Sequence, residues 1–574
     1  MIRKSKKVRF IGRRVLLLLL FACLIGGRGV SAAEASEFAL TVLHINDTHS
    51  HLDPTRVSYT CGHYDYKADL GGISRLGTAV GEMRRQEPHI LFLHGGDMVQ
   101  GTLYFTKYRG QADVDLFNAM GLDAATLGNH DFDQGTGLTA SLVDTAKFPF
   151  ISANVDASRD PSLAGKIKPY FIKSFAGERV AVIGATTPYT AHLSRPGGRV
   201  SFGEVAPKVA AAVRELQRQG IDKIILLSHI GYEEDLRLAR TVPGIDVIVG
   251  GHSHTLLGGH RDTCRSDGLC LNSGGDYPTV VSGPAGQTVL VVQAWEWGKY
   301  LGNLKIAFDE RGEVKSWQGN PVVVAGDLSS PVKKSGKQAE ALWAIGNNGK
   351  ACLPPVVKQY DRDPEIEERL ALYAKPLDAF QHTRIVTAVR DYRRGDRVGP
   401  GQLVAASMLW KTRHLKTQAA LQNAGGVRCD IPAGDVTIRT VYEMLPFANT
   451  VYVLDLTGRQ LRRTLEEMIR GQIATGRPSK LYTAGLKFHI HRQAPFGKRV
   501  TNLRIKKSKG YERVEPADLY RIAVQNYLAG GGDGCRTLRW AGHYRYDTGF
   551  VDAEVFVEYL KQMPGGVLDI AAIP

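Results

Sequence analysis

The sequence predicts a layered α/β protein, and three observations support this prediction. Between residue 38 and about residue 325, apolar runs rich in Val, Ile and Leu recur: "FALTVLHI", "HILFLHG", "RVAVIGA", "DKIILLSH" and "IDVIVGG". Such runs are typical of buried strands. Helical segments alternate with them, and "VAPKVAAAVRELQRQG" is an amphipathic helix that ends at Gly220. A second alternation begins at about residue 383, with "TVYVLDLTG", "GLKFHI" and "LYRIAVQNYL" as candidate strands.

The first element along the chain is an export signal. A basic stretch, "MIRKSKKVRFIGRR", precedes the apolar "VLLLLLFACLIGG" and the small-residue segment "VSAAEA". The apolar run is short for a membrane span. We therefore predict a signal peptide at 1–32, cleaved after Ala32, with Ala33 or Ala35 as alternative cleavage positions. The mature chain is then expected to have no membrane span and a periplasmic or secreted location. A lipid anchor through Cys23 is the alternative, although Phe21 is bulky for that signal.

The charge of the chain argues against nucleic acid as a partner. The formal net charge is +16, and the leader contains eight Lys and Arg residues and no acid, so half of this charge leaves with it. The remaining basic residues are dispersed along the sequence, whereas nucleic-acid binding needs a clustered basic surface. A mildly basic mature chain suits small anionic molecules.

The cysteine content permits disulfides. Seven cysteines become six without Cys23, and an even number in an exported protein is compatible with disulfide bonds. Cys264 and Cys270 enclose only "RSDGL" and are predicted to close a small loop. The pairing of the others stays open from sequence: Cys61, Cys352, Cys429 and Cys535. No Cys-x-x-Cys occurs, so a zinc site built on thiolates is not expected.

We divide the mature chain into a first domain at 33–325, a linker at 326–382 and a second domain at 383–574. The linker contains the helical segment "DPEIEERLALYAKPLDAF", in which Asp363 caps the helix and Pro364 suits its first position. Pro376 is expected to bend or end this helix. Five apolar residues share one of its faces: Ile366, Leu370, Tyr373, Leu377 and Phe380.

Polar side chains follow five apolar runs of the first domain. In chain order these side chains are Asp47 and His49, Asp97, Asn129 and His130, His229, and His252 and His254. Strand ends at one edge of an open α/β sheet form a ligand crevice. Oxygen and imidazole donors without thiolate suit Zn, Mn, Fe or Co. Any one of these motifs is common by chance, but their joint occurrence predicts a metal centre.

The number of these side chains indicates two metal ions. Asp97 is the candidate bridge because its "GGD" turn leaves the carboxylate free at a strand end. One ion is then completed by Asp47, His49 and His254, and the other by Asn129, His229 and His252. Two ions close together activate a hydroxide and neutralise a phosphate oxygen. The predicted chemistry is phosphoester hydrolysis by in-line attack.

The motifs "DTHSHL", "GGDMVQGTLYF", "LGNHDFD", "SHIG" and "GGHSH" resemble those of calcineurin-like metallophosphoesterases. Their order and flanks resemble the 5′-nucleotidases of bacteria and animals, a family that includes UDP-sugar hydrolases and 2′,3′-cyclic-nucleotide phosphodiesterases. The resemblance covers nearly the whole mature chain. It implies a first domain with α/β/β/α layers, a helical linker and an α/β nucleotide-recognition domain. It also implies the ligand division given above, with two divalent ions such as Zn, Mn or Co.

The same resemblance implies a catalytic pair. His130 stabilises the transition state or protonates the leaving oxygen, and Asp133 orients its imidazole. Asp131 is given a supporting role. Three further histidines are expected to support the site or the structure without binding a metal: His51, His63 and His94.

The second domain contains three segments that resemble the nucleoside site of this family: "NAGGVR", "LPFANT" and "NYLAGGGDG". The resemblance implies that Phe447 and Tyr527 sandwich the base and that Asp533 accepts hydrogen bonds from the ribose hydroxyls. Asn423 is a possible contact to the base or ribose. Arg428 and Arg394 are assigned to the phosphate, since a guanidinium fork suits it.

Two features depart from the family pattern. Tyr527 stands where the family usually has Phe, but an aromatic face for stacking remains. The stretch "YRRGDRVGPGQL" differs more, so that Arg393 or Arg397 could take the place of Arg394. Cys429 and Cys535 each follow a substrate motif and could form a disulfide between the two loops or remain thiols.

Three functions fit the sequence. The first is an exported 5′-nucleotidase in which domain rotation brings the nucleotide to the metals, with action on nucleotide sugars, cyclic nucleotides or NAD as variants. The second is a thiosulfohydrolase of the same fold, which would not need a base sandwich. The third is a non-catalytic nucleotide-binding or adhesion protein, which usually lacks metal ligands, and none is missing here.

Overall fold

The computed structural model describes residues 37–61, 64–258, 274–326, 331–332, 357–394, 398–447, 449–474, 481–508, 510–541 and 544–569. The predicted leader with Cys23, the predicted pair Cys264 and Cys270, and also Cys352, His63 and Arg397, lie outside these ranges. Among the described helices, none has the length and apolar character needed to cross a bilayer.

The helices of the described chain are α1 Ile73–Gln86, α2 Leu103–Tyr108, α3 Gln111–Ala119, α4 Thr136–Thr145, α5 Thr190–Leu193, α6 Val205–Arg218, α7 Tyr232–Thr241, α8 Pro364–Gln381, α9 Pro400–Thr412, α10 Ile438–Met444, α11 Gly458–Ala474, α12 Asn526–Ala529, α13 Arg536–Arg539 and α14 Asp552–Leu560. Short 3-10 turns accompany them, one of which spans His130–Phe132.

The strands preceding α8 are β1 Phe38–Ile45, β2 Thr55–Cys61, β3 Tyr64–Leu70, β4 Ile90–His94, β5 Ala124–Thr126, β6 Phe150–Ile151, β7 Val155–Asp156, β8 Tyr170–Phe175, β9 Glu178–Thr186, β10 Ser201–Phe202, β11 Lys223–His229, β12 Val247–Gly250, β13 Thr279–Ser282, β14 Thr288–Gln293, β15 Tyr300–Phe308, β16 Val314–Gly319, β17 Val322–Ala325, β18 Pro331–Val332 and β19 Val357–Gln359. Those following α8 are β20 Arg384–Ala388, β21 Ala419–Gln422, β22 Gly434–Thr437, β23 Thr450–Thr457, β24 Tyr482–Ala484, β25 Leu486–Ile490, β26 Val500–Lys507, β27 Gly510–Arg513, β28 Leu519–Gln525, β29 Arg545–Val551 and β30 Val567–Leu568.

Two large sheets form the centre of the first domain. One has the order β18-β3-β17-β15-β1-β4-β5-β6, and the other has the order β13-β14-β12-β11-β9-β8. In the first sheet β1, β4, β5 and β6 are parallel neighbours. In the second, β9, β11, β12 and β14 are parallel. Parallel neighbours place their carboxyl ends at one edge of each sheet, and this edge positions the site.

The two sheets pack face to face because each central strand is apolar on both sides. Along β1, Leu40 and Val42 join a core shared with the second sheet, whereas Leu43 joins a core on the outer face. Along β11, Ile225 faces the first sheet and Ile224 faces helices. This alternation follows from the two-residue period of a strand. The structure thus confirms the buried strands that the apolar runs predicted.

Helices cover both outer faces and complete the predicted α/β/β/α layers. Helices α1 and α3 pack on the first sheet, and α6 and α7 pack on the second. Helix α8 belongs to the first of these layers, since Ile366, Leu370 and Leu377 lie in its core. The predicted linker helix is therefore packed onto the first domain.

Helix α8 begins as predicted but does not end at Pro376. The Asp363 carboxylate accepts the backbone N–H groups of Glu365 and Ile366 at 3.0 and 3.1 Å. The helix continues through Pro376 to Gln381. Proline cannot supply an N–H to the carbonyl of Leu372, but Leu372 is an exposed residue, so water can serve that carbonyl.

The second domain is built around the sheet β24-β21-β28-β23-β29. Helix α11 covers one face through Leu461 and Leu465, and α9 and α14 cover the other through Met408 and Val555. The predicted strands in this region are present as β23, β25 and β28. Strand β28 stops at Gln525, and the "NYL" that follows turns into α12.

Candidate active site

The strand ends of the first domain bring the predicted metal ligands into two groups. In the first group, Nε2 of His254 lies 3.2 Å from Oδ1 of Asp47 and 3.2 Å from Nε2 of His49. In the second, Nε2 of His229 lies 3.0 Å from Oδ2 of Asp97. The potential donor atoms of each group, the second including His252, lie within 4.8 Å of one another.

The predicted amide ligand and the predicted bridging carboxylate are also in place. Oδ1 of Asn129 lies 3.3 Å from Nε2 of His229, within the second group. Oδ2 of Asp97 lies 3.0 Å from Nε2 of His229 and 4.0 Å from Nε2 of His49, a residue of the first group. Asp97 thus stands between the groups, as a bridge must.

An unusual backbone conformation aims these side chains at one point. Five of the predicted ligands have positive φ angles, although none is glycine: Asp47 (50°), His49 (49°), Asp97 (52°), His252 (73°) and His254 (49°). The left-handed region is costly for such residues, by about 1–3 kcal/mol each. It persists because each strand must turn sharply at the sheet edge to present its side chain.

Three imidazoles are oriented by a partner at Nδ1, so that Nε2 faces the ion position. His49 is paired with the carbonyl of Gln100 at 3.0 Å. His229 is paired with the carbonyl of Gly95 at 2.7 Å, and His254 with the carboxylate of Glu296 at 2.8 Å. Such partners fix the tautomer of a metal-binding histidine.

The charges in the two groups suit cations. Burial would lower the pKa of His229, but Asp97 outweighs it and raises the pKa to about 9. Burial and the Asp47 carboxylate oppose each other in the same way at His254, whose pKa is raised well above its ordinary value. The carboxylates therefore favour positive charge at these two imidazoles, whereas burial lowers the pKa of His49 and of His252 to about 3. Imidazole nitrogens and carboxylate oxygens, with no sulfur among them, fit a pair of divalent cations.

His130 and Asp133 form the predicted pair beside this centre. Nδ1 of His130 lies 2.6 Å from Oδ2 of Asp133. Burial would lower the pKa of His130, but Asp133 outweighs it and raises the pKa to about 9. The backbone N–H of His130 donates to Oδ1 of Asp97 at 2.8 Å, which ties the pair to the metal groups. The imidazolium is the form that donates a proton.

Of the residues predicted to support the site, Asp131 and His94 are buried and His51 is partly buried. Asp131 accepts the Gly128 N–H at 2.7 Å and so shapes the turn that presents Asn129. Nε2 of His94 is hydrogen-bonded to the hydroxyl of Thr48 at 2.9 Å. His51 stacks on Trp297 with ring centroids 4.0 Å apart.

The predicted nucleoside-binding aromatics are accessible. Phe447 is 51% exposed and Tyr527 is 50% exposed. The guanidinium of Arg428 lies over the Phe447 ring, 5.6 Å from its centroid. Exposure of this extent argues against a core role for Phe447, and a base could stack on the side of the ring that Arg428 does not cover.

The polar residues of the same site are connected to one another. Asp533 receives a hydrogen bond from the Tyr527 hydroxyl at 3.1 Å and one from the Asn423 amide at 2.7 Å. The hydroxyl that distinguishes Tyr527 from phenylalanine thus positions the carboxylate assigned to the ribose. Gln525 donates to the Asn423 oxygen and holds that amide in place.

Arg394 is connected to the "NAGGVR" segment. Its backbone N–H donates to Asp430 at 2.8 Å, and its guanidinium donates to the carbonyl of Val427 at 3.3 Å. The nearby Cys429 is a free thiol, and so is Cys535, which is fully buried. The disulfide considered for these two loops is therefore not formed in this structure, in which Cys429 and Cys535 are separate thiols.

The second domain contacts the metal centre through residues that the sequence did not single out. The rings of His252 and Tyr546 are 6.2 Å apart, and those of His130 and Phe550 are 6.0 Å apart. A Cβ on Gly549 would lie 2.0 Å from Nε2 of His130. Second-domain backbone therefore covers Nε2 of His130 in this arrangement. These residues follow no recognisable motif, and only tertiary structure identifies them.

A positively charged cleft opens beside Asp133 between the domains. Its volume is about 400 Å³, and its lining includes Arg195, Lys411, Arg413 and His414. Lys411 is paired with Glu558 at 2.6 Å, and Arg413 and Arg195 are exposed. An anionic small molecule can approach the His130 pair through this cleft.

Two family models match the chain. The calcineurin-like phosphoesterase model matches residues 40–256, and the 5′-nucleotidase C-terminal domain model matches residues 382–539. The first match contains every predicted metal ligand, and the second contains every residue assigned to the nucleoside.

Relatives of known identity cover nearly the whole chain. An NAD 5′-nucleotidase of Haemophilus influenzae is 32% identical over 588 residues, which cover 98% of this chain and 96% of that protein. A solved Haemophilus influenzae NAD nucleotidase has a TM-score of 0.79 at 30% identity, covering 93% of this chain and 98% of the other. A solved 5′-nucleotidase precursor of Thermus thermophilus is 39% identical with a TM-score of 0.57, covering 93% and 97%.

Proposed function

The chain belongs to the 5′-nucleotidase family of calcineurin-like phosphoesterases, and we propose that it hydrolyses 5′-nucleotides to nucleoside and phosphate at a two-metal centre. The observation that carries this proposal is the pair of ligand groups joined by Asp97. When bound, the two divalent cations supply Lewis acidity, which lowers the pKa of a water and neutralises charge on the phosphate. Mn, Zn and Co all fit the donor set.

The protein groups around the centre perform the remaining steps. His130 donates a proton from Nε2 to the leaving ester oxygen, and Asp133 at 2.6 Å keeps the imidazole charged and oriented. Nδ1 partners hold His49 and His229 with Nε2 toward the positions that the cations would take. Orientation of this kind places donor groups before the reaction begins.

Phe447 and Tyr527 select nucleotides by stacking on the base. Their half-exposed rings and the carboxylate of Asp533 offer the two contacts that a nucleoside needs, a flat apolar face and a ribose acceptor. Arg428, which lies over Phe447, is available to the phosphate. Stacking tolerates any base, so purine and pyrimidine nucleotides, nucleotide sugars and NAD are all candidate substrates.

Turnover requires the two domains to move. In the present arrangement Gly549 lies against Nε2 of His130, where the ester oxygen must be. A rotation of the second domain would withdraw Gly549 and present Phe447 and Tyr527 to the metals. The leader at 1–32 supports export, with action on nucleotides outside the cytoplasm.

Replacing Phe447 tests the proposed specificity. Loss of one stacking face is worth about 1–3 kcal/mol, or roughly 5- to 150-fold in affinity. Phe447→Ala is therefore expected to raise KM for AMP by that factor and to leave hydrolysis of ribose 5-phosphate and p-nitrophenyl phosphate unchanged. The same kinetic measurement should be made with UMP, UDP-sugars, cyclic nucleotides and NAD as substrates.

Phe496 provides a matched control for this experiment. It is 42% exposed in the same domain, and Arg470 lies over its ring at 5.1 Å. Phe496→Ala should leave KM for AMP unchanged. Equal losses on AMP and on base-free esters in a folded Phe447→Ala enzyme would remove the nucleoside site from the proposal.

A further inference from the structure

The loop that follows β14 lies beside the metal centre. Strand β14 is parallel to β12, so its carboxyl end lies at the same edge as His252 and His254. The loop sequence "AWEWGK" places Glu296 next to His254 and Lys299 behind Glu296. None of these loop residues belongs to the predicted ligand set.

Glu296 joins His254 to a buried ammonium group. Its Oε2 accepts a hydrogen bond from Nδ1 of His254 at 2.8 Å, and its Oε1 accepts one from Nζ of Lys299 at 2.6 Å. The carboxylate of Glu296 thus lies between an imidazole and an ammonium group, each of which donates to a different oxygen. The Lys299 side chain is only 3% exposed.

The surrounding loop holds this chain of contacts rigidly. Nζ of Lys299 lies 3.7 Å from the centroid of Trp295 and 4.3 Å from that of Trp297, so that two rings enclose the ammonium. Both tryptophans have positive φ angles, 58° and 59°. The backbone N–H of Trp297 donates to the backbone carbonyl of Asp47 at 2.8 Å, which connects the loop to a predicted ligand. Strain of this kind persists only where neighbouring contacts enforce it.

The partner of His254 differs in kind from those of two other predicted ligands. His49 and His229 face the neutral backbone carbonyls of Gln100 and Gly95. His254 alone among these three faces a carboxylate. Both kinds of partner orient a metal-binding imidazole and raise its basicity. The hydrogen bond to a carboxylate is the stronger of the two because it is charge-assisted.

We propose that Glu296, anchored by Lys299, is a positioning residue that makes the Asp47–His49–His254 position the tighter of the two cation sites. The inference rests on the proposed two-metal centre. It adds an asymmetry to that centre. At the first position His254 is hydrogen-bonded to the charged pair Glu296–Lys299, whereas at the second position His229 is hydrogen-bonded to a neutral carbonyl. The chain should therefore retain one cation under chelation conditions that remove the other.

Metal affinity, measured without substrate, tests the proposal. The Mn-loaded protein is titrated against a chromophoric chelator to obtain two dissociation constants. In the unaltered chain the two constants should differ clearly. Loss of an outer partner typically costs 10–100-fold in metal affinity, so Glu296→Gln should weaken the tighter site by about that factor and leave the weaker site unchanged. Glu234→Gln is the control, because Glu234 is an exposed residue of α7 paired with Arg237.

A double variant separates the effect of the Glu296–His254 hydrogen bond from the effect of leaving the Lys299 ammonium unpaired. Glu296→Gln leaves the buried Lys299 ammonium without its carboxylate, and this alone could destabilise the loop or repel a cation. Glu296→Gln combined with Lys299→Met removes that ammonium. If Glu296 acts on His254, affinity at the first position stays weakened in the double variant even though thermal stability recovers. Full recovery of affinity would overturn the proposal.

Cobalt provides a second readout that a purely structural role would not change. The visible spectrum of the first Co²⁺ equivalent reports the ligands of the tighter site, and Glu296→Gln should alter that spectrum. An unaltered spectrum, or equal weakening of both sites, would contradict the assignment. Absence of metal binding in the unaltered chain would instead overturn the proposed function itself, so the two failures are distinguishable.

Discussion

At the scale of single residues, His130 is the group that we propose to act between the metal centre and the leaving oxygen. Its backbone N–H donates to Asp97 and its Nδ1 is hydrogen-bonded to Asp133, so Nε2 is the ring atom left to contact a substrate. Since the imidazole is not part of either ligand group, its role is separable from metal binding.

His130→Ala is expected to keep both cations and lose turnover. General acid–base help is worth about 10²–10⁴-fold in rate, so kcat for AMP should fall by that order. Elemental analysis of the purified variant should still find the metal content of the unaltered chain. Loss of one metal equivalent would make His130 a ligand and refute its assigned role.

Sequence was informative for residues that directly follow a strand. Asp47, Asp97 and His229 come at the ends of apolar runs. Parallel pairing of β1 and β4 brings Asp47 and Asp97 to one edge, and face-to-face packing of the two sheets adds His229 from β11. Glu296 also follows the end of a strand, β14. A single glutamate between two tryptophans matches no known motif, so the sequence did not identify it as part of the site. Gly549 could not be found at all, since its contact with His130 depends on how two domains dock.

At the scale of elements, the site depends on close approach between strand-end turns. A Cβ on Gly128, at the end of β5, would lie 2.1 Å from Oδ1 and 2.3 Å from the backbone N of Asp97. The turn after β5 can therefore meet the turn after β4 only if residue 128 is glycine. This contact sets the distance between Asn129 and the bridging carboxylate.

Gly128→Ala should displace Asp97 and weaken metal binding while the sheets remain intact. Gly137→Ala is the matched control, because Gly137 lies in α4 with open space around it. Alanine in a helix is favoured over glycine by roughly 0.5–1 kcal/mol, so the control should be equally or more stable. If Gly128→Ala binds both cations with unchanged affinity, the close approach of these turns is not needed.

Element bounds were predictable where local chemistry decides them. The start of α8 follows from the Asp363 cap and Pro364. Its continuation through Pro376 does not, because that depends on tertiary support: Tyr108 donates to the carbonyl of Tyr373 at 2.7 Å, and Lys107 donates to that of Pro376 at 2.6 Å. Packing against the first domain thus overrides the helix-breaking tendency of proline.

At the scale of the whole molecule, the two domains are docked through polar contacts. Glu554 of the second domain accepts hydrogen bonds from Gln100 at 2.6 Å and from Thr106 at 2.9 Å. Together with Gly549 against His130, these contacts define an arrangement in which Nε2 of His130 is covered. Polar interfaces of this kind permit domain motion.

Locking this arrangement should stop catalysis. Cysteines at Thr106 and Glu554, joined by a short cleavable thiol linker, would hold the domains as they stand. We expect kcat for AMP to be lost on linking and to return when the linker is cleaved. The reason is that the second domain must rotate to uncover Nε2 of His130 and to bring the nucleotide to the metals. Each single cysteine variant, treated with the same reagent, is the control. Undiminished kcat in the linked enzyme would count against domain movement.

The central claim, hydrolysis of nucleotides by a two-metal centre, is tested most directly by measuring AMP hydrolysis against bound metal. The protein is freed of metal by exhaustive chelation, verified by elemental analysis, and then titrated with Mn²⁺ while phosphate release is followed. The two ligand groups joined by Asp97 predict no activity without metal, little with one equivalent and full activity with two. Full hydrolysis of AMP by the metal-free chain, or a maximum at one equivalent, would contradict the account.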